Sequence, residues 1–86
     1  MDENDVRIEE LEDEINDIDI KIVLLLNQRA DFSTELNTLK RELDDIVYDR
    51  EKENGIMEML EEISNYNNMI PTIYPSIFKY CRSLYE

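Results

Sequence analysis

From Ile8 to Ile46, apolar residues recur in alternating steps of three and four. Ile8, Leu11, Ile15, Ile18, Ile22 and Leu25 keep the rhythm, Arg29 interrupts it, and Phe32, Leu36, Leu39, Leu43 and Ile46 resume it. A helix gathers residues at this spacing into one stripe. No Gly or Pro falls between Val6 and Arg41, so the spacing predicts one unbroken helix over about residues 5–42, with Asn4 or Asp5 as its N-cap. Such a rod is ~57 Å long, well beyond the diameter of a compact domain built from 86 residues. A chain of this size buries only ~60–65% of the surface its unfolded form exposes, so it gains from a second copy. Val23, Leu24 and Leu26 widen the stripe around Leu25, which puts the expected contact between two chains at mid-helix.

The remainder supplies two shorter helices. A β-branched run in Leu43-Asp44-Asp45-Ile46-Val47-Tyr48-Asp49 predicts a turn, although neither Gly nor Pro marks it. Asp49 stands where an N-cap belongs, and Ile56, Leu60 and Ile63 give a second stripe over about residues 50–65. Gly55 lies inside this helix and weakens it by ~1 kcal/mol relative to alanine, a cost that a close neighbouring helix or a ligand would explain. Ser64-Asn65-Tyr66-Asn67-Asn68 reads as a polar connector. Pro71 and Pro75 bracket the expected first turn of a third helix over about residues 72–85, whose apolar face is Ile73, Ile77, Phe78, Cys81 and Leu84. The expected fold is therefore all-α: one domain over residues 1–86, with a long, a medium and a short helix.

Composition removes several function classes. Nine Lys and Arg against 22 Asp and Glu give a net charge of -13, unsuited to nucleic acid or an anionic membrane surface. No run of eighteen apolar residues and no basic-then-apolar leader is present, so the expected location is the cytoplasm. The lone Cys81 reads as a small buried hydrophobe. Histidine is absent, which takes away the commonest zinc ligand and the usual partner of a nucleophile. The expected chemistry uses no metal, no cofactor and no covalent intermediate.

What remains is a set of charges. A guanidinium in an apolar seam needs an internal acid or an anionic ligand, because it cannot shed its proton. Lys40 follows Arg29 by eleven residues, ~16 Å along the axis and rotated by only ~20°, so two cations look out from nearly one face. Asp49 and Glu53 share a face one turn apart, and a second helix folded back past residues 43–48 brings them toward Lys40. On spacing alone, an N-cap and a surface acid pair are the favoured reading of those two residues.

Taken together, these residues resemble the all-helical chorismate mutases. The first helix of that family reads Leu-Arg-x-x-Ile-Asp-x-Ile-Asp-x-x-Ile-x-x-Leu-Leu-x-x-Arg, and the stretch from Leu11 through Ile15, Ile18-Asp19, Ile22 and Leu25-Leu26 to Arg29 follows it. Lys40 comes at the family spacing, and Asp49-Arg50-Glu51-Lys52-Glu53 matches the family's Asp-x-x-Arg-Glu with Lys52 in place of Arg. The likeness runs over about residues 8–80. It implies an intertwined homodimeric helical bundle that converts chorismate to prephenate. It further implies that Arg29 clamps a carboxylate of this dicarboxylate substrate and that Lys40 donates to the ether oxygen. Glu53, with Asp49, would hold the ring hydroxyl, and Lys52 would pair with a carboxylate.

Three departures bear on these roles. The family arginine that reaches into the partner's site is Glu12 here, and Arg7 lies too far upstream to replace it in register. The family's C-terminal Ser falls on Tyr85, and the Gln that follows it falls beyond Glu86; Ser83 would serve only if the third helix slipped. Two other readings therefore use the same scaffold: a non-catalytic dimeric interaction or regulatory module, and a lyase releasing pyruvate from isochorismate.

Overall fold

The computed structural model describes residues 2–86, which form three helices: α1 (Glu3–Glu42), α2 (Arg50–Ile63) and α3 (Met69–Arg82). Helix α1 begins earlier than its sequence suggests. Its N-cap is Asp2, not Asn4 or Asp5: the Asp5 N–H donates to the Asp2 carboxylate at 3.0 Å, and Glu3 and Asp5 sit in the first turn at the positive end of the helix dipole.

The end of α1 explains how the chain turns without glycine. Asp44 adopts the left-handed conformation with φ 56°, the Asp45 N–H donates to the Lys40 carbonyl at 2.7 Å, and the Asp44 N–H donates to that of Arg41 at 3.2 Å. This is a Schellman motif with aspartate in the place that glycine usually takes. Leu43 and Ile46 consequently leave the stripe and lie exposed outside the helix.

Asp49 caps α2 as expected, accepting from the Lys52 N–H at 3.1 Å. Within the single chain no neighbouring helix approaches Gly55, since nothing lies within 4 Å of where its Cβ would be. Helix α3 is also corrected. It starts at Met69, three residues before the expected 72, and ends at Arg82. Asn68, left-handed at φ 64°, makes the entry without a side-chain cap. Pro71 is thus the third helical residue, inside the first turn, but Pro75 lies in the helix interior. A proline there removes one backbone hydrogen bond at a cost of ~3 kcal/mol. Both prolines are exposed, and α3 is held by its buried residues Ile70, Phe78 and Cys81.

Helix α3 packs against both α1 and α2 and carries most of the small core. The only buried residue of α1 is Asn37, whose side-chain amide donates to the carbonyls of Cys81 and Leu84, both at 2.8 Å. The Glu86 N–H donates to the Thr38 hydroxyl at 2.9 Å, and the Arg41 guanidinium lies 4.1 Å from the centre of the Tyr85 ring. The C-terminus is therefore tied to the last third of α1.

The rest of α1 stands clear. The molecule measures 62 × 27 × 15 Å, and its radius of gyration is 17.5 Å. A compact chain of this length would have a radius of about 12 Å. Along the rod, Ile8, Ile15, Ile18 and Leu25 are all more than half exposed. Isolated exposed apolar residues are ordinary, but a continuous stripe of them is not.

Candidate active site

Where the three helices meet they enclose a cleft of about 120 Å³. Its α1 wall consists of Arg29, Ser33, Leu36, Asn37 and Lys40, polar or apolar residues at steps of three or four that the long helix aligns on one side. The turn adds Val47 and Asp49, α2 adds Lys52, Glu53 and Ile56, and α3 adds Phe78, Cys81 and Arg82. Leu36, Val47, Ile56 and Phe78 form the apolar part of the lining. All five polar residues singled out from the sequence, Arg29, Lys40, Asp49, Lys52 and Glu53, line this one cleft.

Each is positioned by a local cause. Arg29 and Lys40 are half-buried, and among the described residues neither forms an ion pair or a side-chain hydrogen bond. The Arg29 guanidinium lies 5.5 Å from the centre of the Phe78 ring, a cation–π contact that restrains it while leaving its N–H donors unengaged. Lys40 is anchored through its backbone, since its carbonyl takes the closing bond of the Schellman motif. The cap formed by Asp49 places the start of α2, with the exposed Lys52, at the rim.

Glu53 is not free. The Arg82 Nη1 donates to both of its carboxylate oxygens, at 2.6 and 2.8 Å, and the two side chains are only 19% and 30% exposed for Glu53 and Arg82 respectively. The other side of the Arg82 guanidinium rests on Tyr48, 4.2 Å from the ring centre.

Sequence reasoning missed Arg82 and Asn37. Both had a signal: Arg82 follows Phe78 by one turn, and Asn37 completes the row Arg29, Ser33, Asn37 at successive steps of four. Neither Ser83 nor Tyr85 lines the cleft. Ser83 is exposed and its hydroxyl donates to the Tyr80 carbonyl at 2.6 Å, while Tyr85 packs under Arg41. Glu12 is far away: it is exposed, seventeen residues before Arg29 and hence ~25 Å along the axis. Arg7 is further still and pairs with Glu10 at 3.1 Å. Cys81 is buried and unpaired, as its surroundings in the sequence suggest.

The lining contains four cations and two carboxylates, a net charge of +2 in a chain whose overall charge is -13. A small, apolar-floored cleft of that sign suits a compact dianion. No group of His, Cys, Asp and Glu able to hold a metal occurs among the described residues, and none of their helices is long and apolar enough to cross a membrane.

The chain matches the family described as chorismate mutase type II over residues 11–86, a span that includes every residue of the cleft. No curated protein matches the chain.

Proposed function

Because the chain belongs to the chorismate mutase type II family, we propose that it rearranges chorismate to prephenate, on the route to phenylalanine and tyrosine, as a cytoplasmic homodimer. The observation that supports this most is that Arg29 and Lys40 line one cleft while no acid among the described residues neutralises either.

The reaction is intramolecular. One C–O bond breaks as one C–C bond forms, and no proton, electron or group passes to the protein. The enzyme has to hold a flexible dianion in its reactive shape and stabilise the charge that grows on the ether oxygen. Arg29, braced on Phe78, takes one carboxylate through its guanidinium fork. Lys40 donates to the ether oxygen, where negative charge develops. Lys52 at the rim pairs with the second carboxylate as a mobile point charge. Glu53 and Asp49 accept from the ring hydroxyl.

The exposed stripe of α1 supports dimerisation, since a second copy would cover it along its length. Glu12 favours the competing reading of a non-catalytic module, since a carboxylate brought into a partner's cleft repels a dianion.

The test is the rate of chorismate loss in the purified protein and in Arg29→Ala and Lys40→Ala. Removing one charged partner from a desolvated site costs ~2–5 kcal/mol, or about 30- to several-thousand-fold in rate. Unchanged rates in both variants refute the assignment. No turnover, with no melting shift on adding a transition-state mimic, selects the non-catalytic module. Salicylate and pyruvate in place of prephenate select the lyase.

A further inference from the structure

A carboxylate in the wall of a site for a dianion is a liability, and Glu53 is such a carboxylate. Its position is fixed by α2, and at 19% side-chain exposure water screens it little. One group answers it. Arg82, from the last turn of α3, spans both Glu53 oxygens through a single nitrogen. Its flat face is held on Tyr48, so its orientation does not depend on Glu53 alone. Apart from these bonds, the remaining N–H donors of Arg82 make no hydrogen bond to the described residues.

We propose that Arg82 is a positioning residue: it cancels the charge of Glu53 and fixes its oxygens, so that Glu53 can face a dicarboxylate without repelling it. This rests on the reading of the cleft as a dicarboxylate site. With the pair intact, the lining carries four cations against two carboxylates; removing Arg82 alone lowers the net charge from +2 to +1 and exposes an uncompensated acid. Removing both members of the pair restores +2. The cleft's affinity for a dianion should follow this net charge, whichever hydrogen bonds the substitutions remove.

The experiment measures calorimetric binding of a hydroxylated bicyclic ether dicarboxylate, a mimic of the rearrangement's transition state, to the full chain and to Arg82→Gln, Arg82→Lys, Glu53→Gln and Arg82→Gln/Glu53→Gln. Chorismate turnover is followed in parallel. Arg82→Gln is expected to weaken binding about tenfold, the effect of one unit charge a few ångströms away at a half-exposed site. Arg82→Lys stays within a few-fold of the parent, Glu53→Gln loses at most a few-fold because its amide oxygen still accepts from the ring hydroxyl, and the double variant regains most of the Arg82→Gln loss. A purely structural role for Arg82 predicts no such rescue. A double variant as weak as Arg82→Gln overturns the proposal, and so does a parent-like Arg82→Gln. Should Arg82→Gln fail to fold, Arg82→Lys decides: binding within a few-fold of the parent supports a role through charge, and a tenfold loss refutes it. Turnover by the parent with a flat binding series refutes only the role of Arg82. Binding that follows the net charge without turnover refutes only the catalytic reading, and a parent that binds no mimic refutes both.

Discussion

Asn37 joins the fold to the cleft, and its replacement has a calculable effect. Its amide supplies two hydrogen bonds of 2.8 Å to the carbonyls of Cys81 and Leu84 at the end of α3, where the Cys81 carbonyl also accepts from the Leu84 N–H at 3.2 Å. Each such bond contributes ~0.5–1.5 kcal/mol net, and a carbonyl left buried without a donor costs toward the upper end. The Cys81 carbonyl keeps its backbone donor, so Asn37→Ala should lose the two bonds alone, about 1–3 kcal/mol in total. Asn37→Asp separates shape from chemistry. It keeps the volume but removes both donors and sets a carboxylate against two carbonyl oxygens, so at pH 7 it should be the more damaging variant. Its carboxyl is expected to titrate above the usual range in the folded state. The defect therefore shrinks as pH falls below that value, where the protonated acid donates one bond, and returns as pH rises through it. Urea unfolding followed by far-ultraviolet circular dichroism, at one protein concentration and at pH 7 and pH 4, measures all of this. An Asn37→Ala variant within 0.5 kcal/mol of the parent, or an Asn37→Asp variant milder than alanine at pH 7, refutes the account.

Two further predictions use the exposed parts of the helices. Leu25 is 62% exposed in the single chain, so Leu25→Asp should leave an isolated chain nearly unchanged but break a dimer that buries the stripe. Burying two leucines contributes ~3–6 kcal/mol, so sedimentation equilibrium should show dissociation rising by about two to four orders of magnitude. An unaltered mass distribution counts against dimerisation through α1. Gly55→Ala meets open space in a helical setting and should stabilise the protein by ~1 kcal/mol in thermal melts, whereas a loss would reveal a contact that the single chain does not show.

How much of this was legible beforehand depended on whether one residue or several carried the signal. The extent of α1 follows from forty residues of periodicity without a breaker, and only its N-cap shifts. The start of α2 rests on Asp49, whose side chain caps in the expected way. Helix α3 shifted because the prolines invited a start near 72, whereas Asn68 enters left-handed and the cost of Pro75 is offset by the burial of Ile70, Phe78 and Cys81. Arg29, Lys40, Asp49 and Glu53 could be placed on faces from their spacing, Lys52 came from the family resemblance, and all five line one cleft. Arg82 and Asn37 each stand one turn from another cleft residue, but their partners lie some thirty to fifty positions away, Glu53 for one and Cys81 and Leu84 for the other, so spacing alone did not mark their roles.

The Schellman turn at Asp44 reaches further than its size suggests. Lys40 closes that turn through its carbonyl, and Lys52 and Glu53 begin the helix that follows, so a single backbone handedness sets the gap between opposite walls. The breadth of what fits between them is then written into a hinge, apart from the side chains that do the gripping. Adding or deleting one residue between 43 and 49 would regauge the aperture with every charged group retained, which makes this short bend the natural place to alter which anions are admitted.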